Sequence, residues 1–115
     1  MSLLVAKAKK QVEDCVLNAA RSAMEKGIME NAELGEFTVT VPQNREHGDW
    51  AVNAAMAWAR AFHKAPRQIA EILGSEFDFS NTYIEKYEIA GPGFINFFLS
   101  DGYYETYDEV EDDTI

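Results

Sequence analysis

The 115-residue chain has a single cysteine, Cys15, and two histidines, His47 and His63. One thiol can neither close an intrachain disulfide nor build a multi-cysteine zinc or iron–sulfur site, and it suits a reducing compartment. The two histidines have no ligand spacing around them, so no metal site is expected. Long apolar runs are missing as well. The longest, Ala54 to Ala59, is bounded by Asn53 and Arg60, far short of the roughly 18 residues a membrane span needs. The opening MSLLVAKAKK puts its lysines after the apolar stretch, the reverse of a secretory signal. The expectation is a cytoplasmic protein with no membrane partner. Positive charge is scarce: ten Lys and Arg against twenty Asp and Glu give a net −10. That balance argues against a general electrostatic binder of DNA or RNA. The deficit is uneven. Residues 1–67 are net +1, whereas residues 68–115 carry one basic and twelve acidic side chains. A polyanion would have to be met by the first two-thirds, or through its bases.

With 47% hydrophobic and 26% charged residues, the chain suits one small domain that buries its own core. Leu4, Ala8, Val12, Cys15, Val16, Ala19, Ala20 and Ala23 recur at helical spacing, predicting an amphipathic helix over 3–26 ended by Gly27. Cys15 lies in the apolar stripe and reads as a core thiol. In Glu36–Val41, Phe37, Val39 and Val41 alternate with threonines, predicting a strand that Pro42 ends. The loop QNREHGD follows, with Asp49 expected to cap a central helix over Trp50–Lys64 and Gly48 easing the entry. Asn53, Arg60 and Lys64 form a narrow polar stripe on that helix, so it should be enclosed on most sides. Pro66 opens a further helix to about Leu73, stopped by Gly74 and Ser75. From Tyr83 an imperfect alternation predicts a strand, turned by Gly91, Pro92 and Gly93 into a second strand over Phe94–Ser100. There Ile95, Phe97 and Leu99 share one face, and Phe94, Asn96 and Phe98 share the other.

Catalytic chemistry is not evident. Gly91-Pro92-Gly93 leads into a strand, whereas phosphate-cradling loops lead into a helix. His47 with Asp49 has no accompanying nucleophile. What remains is a recognition surface: Phe94 as a stacking plane beside the Asn96 amide, a combination able to hold an unstacked base. The same exposed aromatics, with Tyr103 and Tyr104, would equally serve a protein-interaction module.

The stretches VPQNREHGDWAVNAAMAWARAFHKAPRQIAEIL and EIAGPGFINFFLS resemble the N-terminal additional domain of arginyl-tRNA synthetases. The shared pattern covers about residues 37–100. It appears here as His47, Gly48, Asp49, Asn53, Ala55, Met56, Pro66, Ile69, Ala70, Gly91, Pro92, Gly93, Phe94, Ile95 and Asn96. The resemblance implies docking on the outer corner of the tRNA of arginine, with Phe94 stacking on, and Asn96 reading, an exposed D-loop base. Arg60, Lys64 and Arg67 become candidates for neighbouring phosphates, and His47, Gly48 and Asp49 a structural loop and cap. The family's ATP- and arginine-binding signatures do not occur in this sequence. The chain is therefore expected to be an excised piece or a freestanding relative, inactive by itself, with no cofactor of its own. ATP with magnesium would belong to the catalytic domain of a parent arginine–tRNA ligase.

The expected fold is α+β, in the order helix, strand, helix, helix, strand, strand, with a small, mainly antiparallel sheet covered by helices on one face. Residues 1–100 form the domain, and 101–115 an acidic tail or the start of a linker.

Overall fold

The computed structural model describes residues 3–103, with the side chain of Arg45 left aside. Helix α1 (Leu3–Glu25) buries Leu4, Ala8, Val12, Cys15, Val16, Ala19, Ala20 and Ala23, the stripe that the spacing predicted. Gly27 ends it at φ 74°. Four strands follow: β1 (Val39–Thr40), β2 (Trp50–Val52), β3 (Ile84–Ala90) and β4 (Phe94–Leu99). They form one antiparallel sheet in the order β1-β2-β4-β3, with β4 inside. Between β2 and β3 lie two short helical turns, α2 (Ala54–Ala57) and α3 (Ala59–Phe62), and then α4 (Pro66–Glu76). Helix α4 packs on both α1 and α2, and all three lie on one face of the sheet. The expected α+β class holds, with one strand more than the predicted order.

That extra strand corrects the central helix. Trp50 and Val52 pair with Phe97 and Ile95 of β4, so the turn of chain expected to begin the helix is β2. Helical structure starts after Asn53, which is fixed by two hydrogen bonds to Thr38, the residue before β1. Its Oδ1 accepts from Thr38 N–H at 2.7 Å, and its own N–H donates to the Thr38 carbonyl at 3.3 Å. The helix also breaks at Trp58, whose indole is wholly buried and donates to the Gly35 carbonyl at 2.8 Å. Enclosure was expected on most sides and is found in part: Trp58 and Phe62 are at most 1% exposed, whereas Ala57 and Arg60 are exposed and Met56 and Ala61 half-buried.

Two further boundaries shift. The predicted strand over 36–41 pairs only at Val39 and Thr40, because Phe37 turns edge-on to the Trp58 ring, 5.4 Å away. Helix α4 runs through Gly74 and Ser75 to Glu76. Gly74 lies inside the helix because the Tyr87 phenol of β3 crosses it, where a Cβ would collide. The imperfect alternation of β3 is a bulge: Ile84 faces Leu99 and Lys86 faces Phe98, leaving Glu85 as the extra residue.

Cys15 is 6% exposed, and burial pushes its thiol up to about 11, as befits a core side chain. Tyr103, assigned from sequence to the tail, is instead buried edge-on against Tyr83, with ring centroids 5.6 Å apart. The acidic stretch 104–115, Tyr104 included, lies outside the described residues.

Candidate nucleic-acid interface on the outer face of the sheet

The antiparallel register sorts the side chains of β4 between two faces. Ile95, Phe97 and Leu99 face the helices with Trp50, Val52, Tyr87 and Ile89, whereas Phe94, Asn96 and Phe98 lie on the opposite face. On that outer face Asn96 stands across from Ala51 on one side and Glu88 on the other. Phe98 stands beside Lys86, and Phe94 beside Ala90.

Phe94 is 40% exposed, one of few large apolar side chains open to solvent. Asn96 corrects the expectation of an openly presented amide, since it is 5% exposed. Its recess follows from its position in an interior strand, with neighbours across both ladders and aromatic rings two residues away in either direction. Its carboxamide nevertheless makes no hydrogen bond among the described residues, none of whose buried side-chain nitrogen or oxygen atoms lacks a partner. The unbonded amide therefore keeps some access to solvent although the residue is mostly covered. Phe98 is half-buried, and the Lys86 ammonium sits 4.5 Å from its ring centroid, so its outer π-face is already engaged. Lys86 also pairs with Glu88 at 3.3 Å. Phe94 is thus the aromatic face left for stacking.

The H-G-D segment and the glycine corner hold the two ends of β4. In the H-G-D segment, His47 is exposed at the end of a short 3-10 turn. Gly48, at φ 99°, passes so close to β4 that a Cβ would lie 2.7 Å from the Phe97 carbonyl oxygen. Asp49 does not cap a helix, because β2 starts at the next residue. Instead its N–H donates to the Phe97 carbonyl at 2.8 Å, and its Oδ2 accepts from Leu99 N–H at 2.8 Å. The side chain thereby continues the ladder where the β2 backbone departs. At the other end, the Gly91-Pro92-Gly93 corner is closed by Gly93 N–H to the Ala90 carbonyl at 3.2 Å, and it rests on the start of α4. A Cβ at Gly93 would lie 2.7 Å from Pro66 Cβ.

Of the candidate cations, Arg67 is brought to the site. It donates to the Gly91 carbonyl at 2.8 Å, and Phe94 Cδ2 would lie 3.8 Å from a Cβ at Gly91. Arg67 and the Phe94 ring thus share the corner. Arg60 and Lys64 lie on α3 and its exit, exposed and half-buried respectively, and neither has a hydrogen bond or ring contact with Phe94 or Asn96 among the described residues. Sequence reasoning missed Lys86 and Glu88, whose signal was the pairing register across the corner. No group of three His, Cys, Asp or Glu among the described residues could hold a metal ion.

The family profile described as "Arginyl tRNA synthetase N terminal domain" matches residues 6–99. The chain belongs to that domain family. It is 45% identical over 103 residues to an arginine–tRNA ligase of Caldanaerobacter subterraneus, covering 90% of this chain and 18% of the relative. Against an arginine–tRNA ligase of Acetivibrio thermocellus it is 42% identical, with the same coverage. The chain thus spans less than a fifth of the length of these relatives. Two solved structures share the fold. The arginyl-tRNA synthetase of Plasmodium falciparum superposes over 87% of this chain and 17% of its own at a TM-score of 0.67 and 21% identity. That of Thermus thermophilus covers 79% and 14% at a TM-score of 0.57 and 22% identity. The H-G-D loop and the glycine corner both fall within the matched residues.

Proposed function

We propose that this domain binds the elbow of the tRNA of arginine, with Phe94 stacking on an unpaired D-loop base and Asn96 hydrogen-bonding its edge. In this way it would support arginylation of tRNA in the cytoplasm by an arginine–tRNA ligase. Activation of arginine with ATP and magnesium would belong to the catalytic domain of such a ligase.

The observation that carries the reading is an exposed ring and an unbonded carboxamide on one face of a strand clamped at both ends. Base stacking on an aromatic side chain is worth roughly 1–3 kcal/mol, and a fixed strand loses little entropy in making it. Arg67, at the same corner, would meet a neighbouring phosphate. With a net charge of −10, affinity should be modest and fall steeply with salt.

The test is titration of the chain with a tRNA-arginine transcript at low salt, followed by amide NMR shifts. Phe94→Ala should weaken binding about tenfold or more, and Asn96→Ala somewhat less, with folding preserved in Phe94→Ala because the ring is surface-exposed. An unaltered affinity in Phe94→Ala would refute the stacking role. Burial of Tyr103 and engagement of Phe98 by Lys86 shrink the aromatic surface on which a protein-interaction reading would depend.

A further inference from the structure

We infer that the open edge of β3 is a self-association surface, to which a second copy of this chain adds its own β3, antiparallel about a two-fold axis at Tyr87. The inference stands apart from the RNA reading, which uses the outer face of β4 and assigns no partner to the rim of the sheet. In the strand order β1-β2-β4-β3 the outer strands are β1 and β3. β1 spans two residues and β3 seven, so β3 is the longer template for another strand.

The ladder decides which groups that edge offers. The Phe97 carbonyl accepts from Asp49 N–H at 2.8 Å on the β2 side of β4, so Phe97 does not bond to its register partner Tyr87 in β3. In an antiparallel sheet, a residue outside the bonded pairs turns its own N–H and C=O to the opposite side. Tyr87 therefore points both groups off the sheet, as does Ile89 two residues on, and among the described residues their backbones have no partner there. The side chains of Tyr87 and Ile89 face the helices and are half-buried. The Tyr87 ring stands edge-on to Phe77 at 5.0 Å and to Phe79 at 6.3 Å between centroids, and both of those rings are half-buried too. An aromatic flank thus borders the open edge, and an added strand would cover it.

Charge selects the occupant. Lys86 and Glu88 bracket Tyr87 and are exposed on the outer face. With Tyr87 opposite Tyr87 of the second copy, each Lys86 stands opposite the other copy's Glu88, which makes two cross-strand pairs of opposite sign. The ion pair within one chain, Lys86 to Glu88 at 3.3 Å, is exchanged for two between chains. Moving the axis to Glu88 would instead set the two Glu88 carboxylates against each other. The bulge at Glu85 ends the regular edge just beyond Lys86. Charges that guard an edge strand against unrelated strands are, in this one register, complementary to themselves.

The experiment is sedimentation equilibrium of the 115-residue chain at about 0.15 M salt, where a Debye length of about 8 Å screens the repulsion between two chains of net charge −10. The expected result is a monomer–dimer equilibrium with a Kd of about 0.1–1 mM, as befits a small interface, and with concentration-dependent amide shifts over residues 86–90. Lys86→Glu alone and Glu88→Lys alone should each weaken the dimer about tenfold or more, because each sets like charges across both pairs. An equimolar mixture of the two variants should regain the parent affinity, since every pair across the axis is then of opposite sign. Both side chains are exposed, and unchanged tryptophan fluorescence would confirm that the variants fold. A chain that stays monomeric throughout that range overturns the inference and leaves the edge to some other strand. Single variants that associate as well as the parent would place the contact elsewhere and overturn it equally. Either result leaves the role of Phe94 to its own test.

Discussion

Replacing Gly93 by alanine isolates the contact that sets the aim of Phe94. Gly93 has φ 144°, a backbone region almost reserved for glycine, and an added Cβ would lie 2.7 Å from Pro66 Cβ and 3.0 Å from the Pro66 carbonyl carbon. The first effect costs about 1–3 kcal/mol and the second about 1–3 kcal/mol as overpacking. The smaller entropy of the unfolded alanine chain offsets neither, since it makes the unfolded state costlier by only about 0.4–1 kcal/mol when the native conformation is compatible. Gly91 provides the control. It also has positive φ, at 56°, but its nearest non-neighbouring atom is Phe94 Cδ2 at 3.8 Å. Gly91→Ala should therefore pay only the left-handed cost of about 1–2 kcal/mol. At roughly 4–8 °C per kcal/mol for a domain of about 100 residues, Gly91→Ala should lower the midpoint by about 4–16 °C and Gly93→Ala by roughly two to three times as much. Trp50 and Trp58, both buried, report unfolding by fluorescence. Equal loss in the two variants would refute the claim that the corner is seated on Pro66.

Three further outcomes follow from the packing. Gly74→Ala would raise stability by up to about 1 kcal/mol on an ordinary helix surface, but here it should lower stability by about 1–3 kcal/mol because the new methyl meets the Tyr87 phenol. Calorimetry of Gly74→Ala alone and with Tyr87→Leu, which should recover part of the loss, checks this. Hydrogen bonds from Lys26 and Ser22 hold the Glu76 carboxyl below the usual glutamate range. The folded pKa is below the unfolded one, so the unfolded state takes up protons first as pH falls. This contribution is complete at neutral pH and is lost as pH drops through the ordinary carboxylate range toward the folded value. Urea melts between pH 7 and 3 should show the gap between the parent chain and Glu76→Gln closing on acidification, and a pH-independent gap would refute it. Cys15, with its thiol raised to about 11, should be about 0.1% thiolate at pH 8, so native alkylation by iodoacetamide should lag the urea-unfolded rate at least a hundredfold.

Helix α1, the glycine corner and the two faces of β4 were legible in the sequence because each rests on a local pattern that the tertiary structure does not contest. Gly27, Pro66 and Gly91 act where local rules place them. Trp50–Val52 was not legible, since Trp50, Val52, Ala54 and Ala55 suit a buried strand, a buried helix, or one followed by the other. What decides is the ladder to Phe97 and Ile95, distant in sequence. The same holds for Gly74, which reads as a stop signal until Tyr87 is placed across it. At the site, alternation put Phe94 and Asn96 on one face correctly. It could not tell that β4 is an interior strand, and this position is what recesses Asn96 and brings Glu88 beside it.

That interior position also explains why residues so far apart in the chain belong to one device. A reader on an edge strand could slide or fray, because one side of its backbone would bond only to water. β4 pairs with β3 along its length and with β2 over Ile95–Phe97, and past the end of β2 the Asp49 carboxylate substitutes for a strand carbonyl at Leu99 N–H. Gly48 permits that approach, and Gly93 permits the opposite end to rest on α4. Asn96 lies between these two clamps, so its backbone is held in place while its carboxamide makes no hydrogen bond of its own among the described residues. A backbone already fixed costs little to reorganise when a partner arrives. On the proposed reading, the H-G-D segment would serve recognition through geometry. Asp49→Ala, if it keeps the fold, should weaken RNA binding without removing any atom that the RNA touches, and Asp49→Asn, whose amide oxygen still accepts from Leu99 N–H, should restore most of the affinity. Equal affinity in the alanine variant would show that the Asp49 clamp is not needed to hold the reading strand.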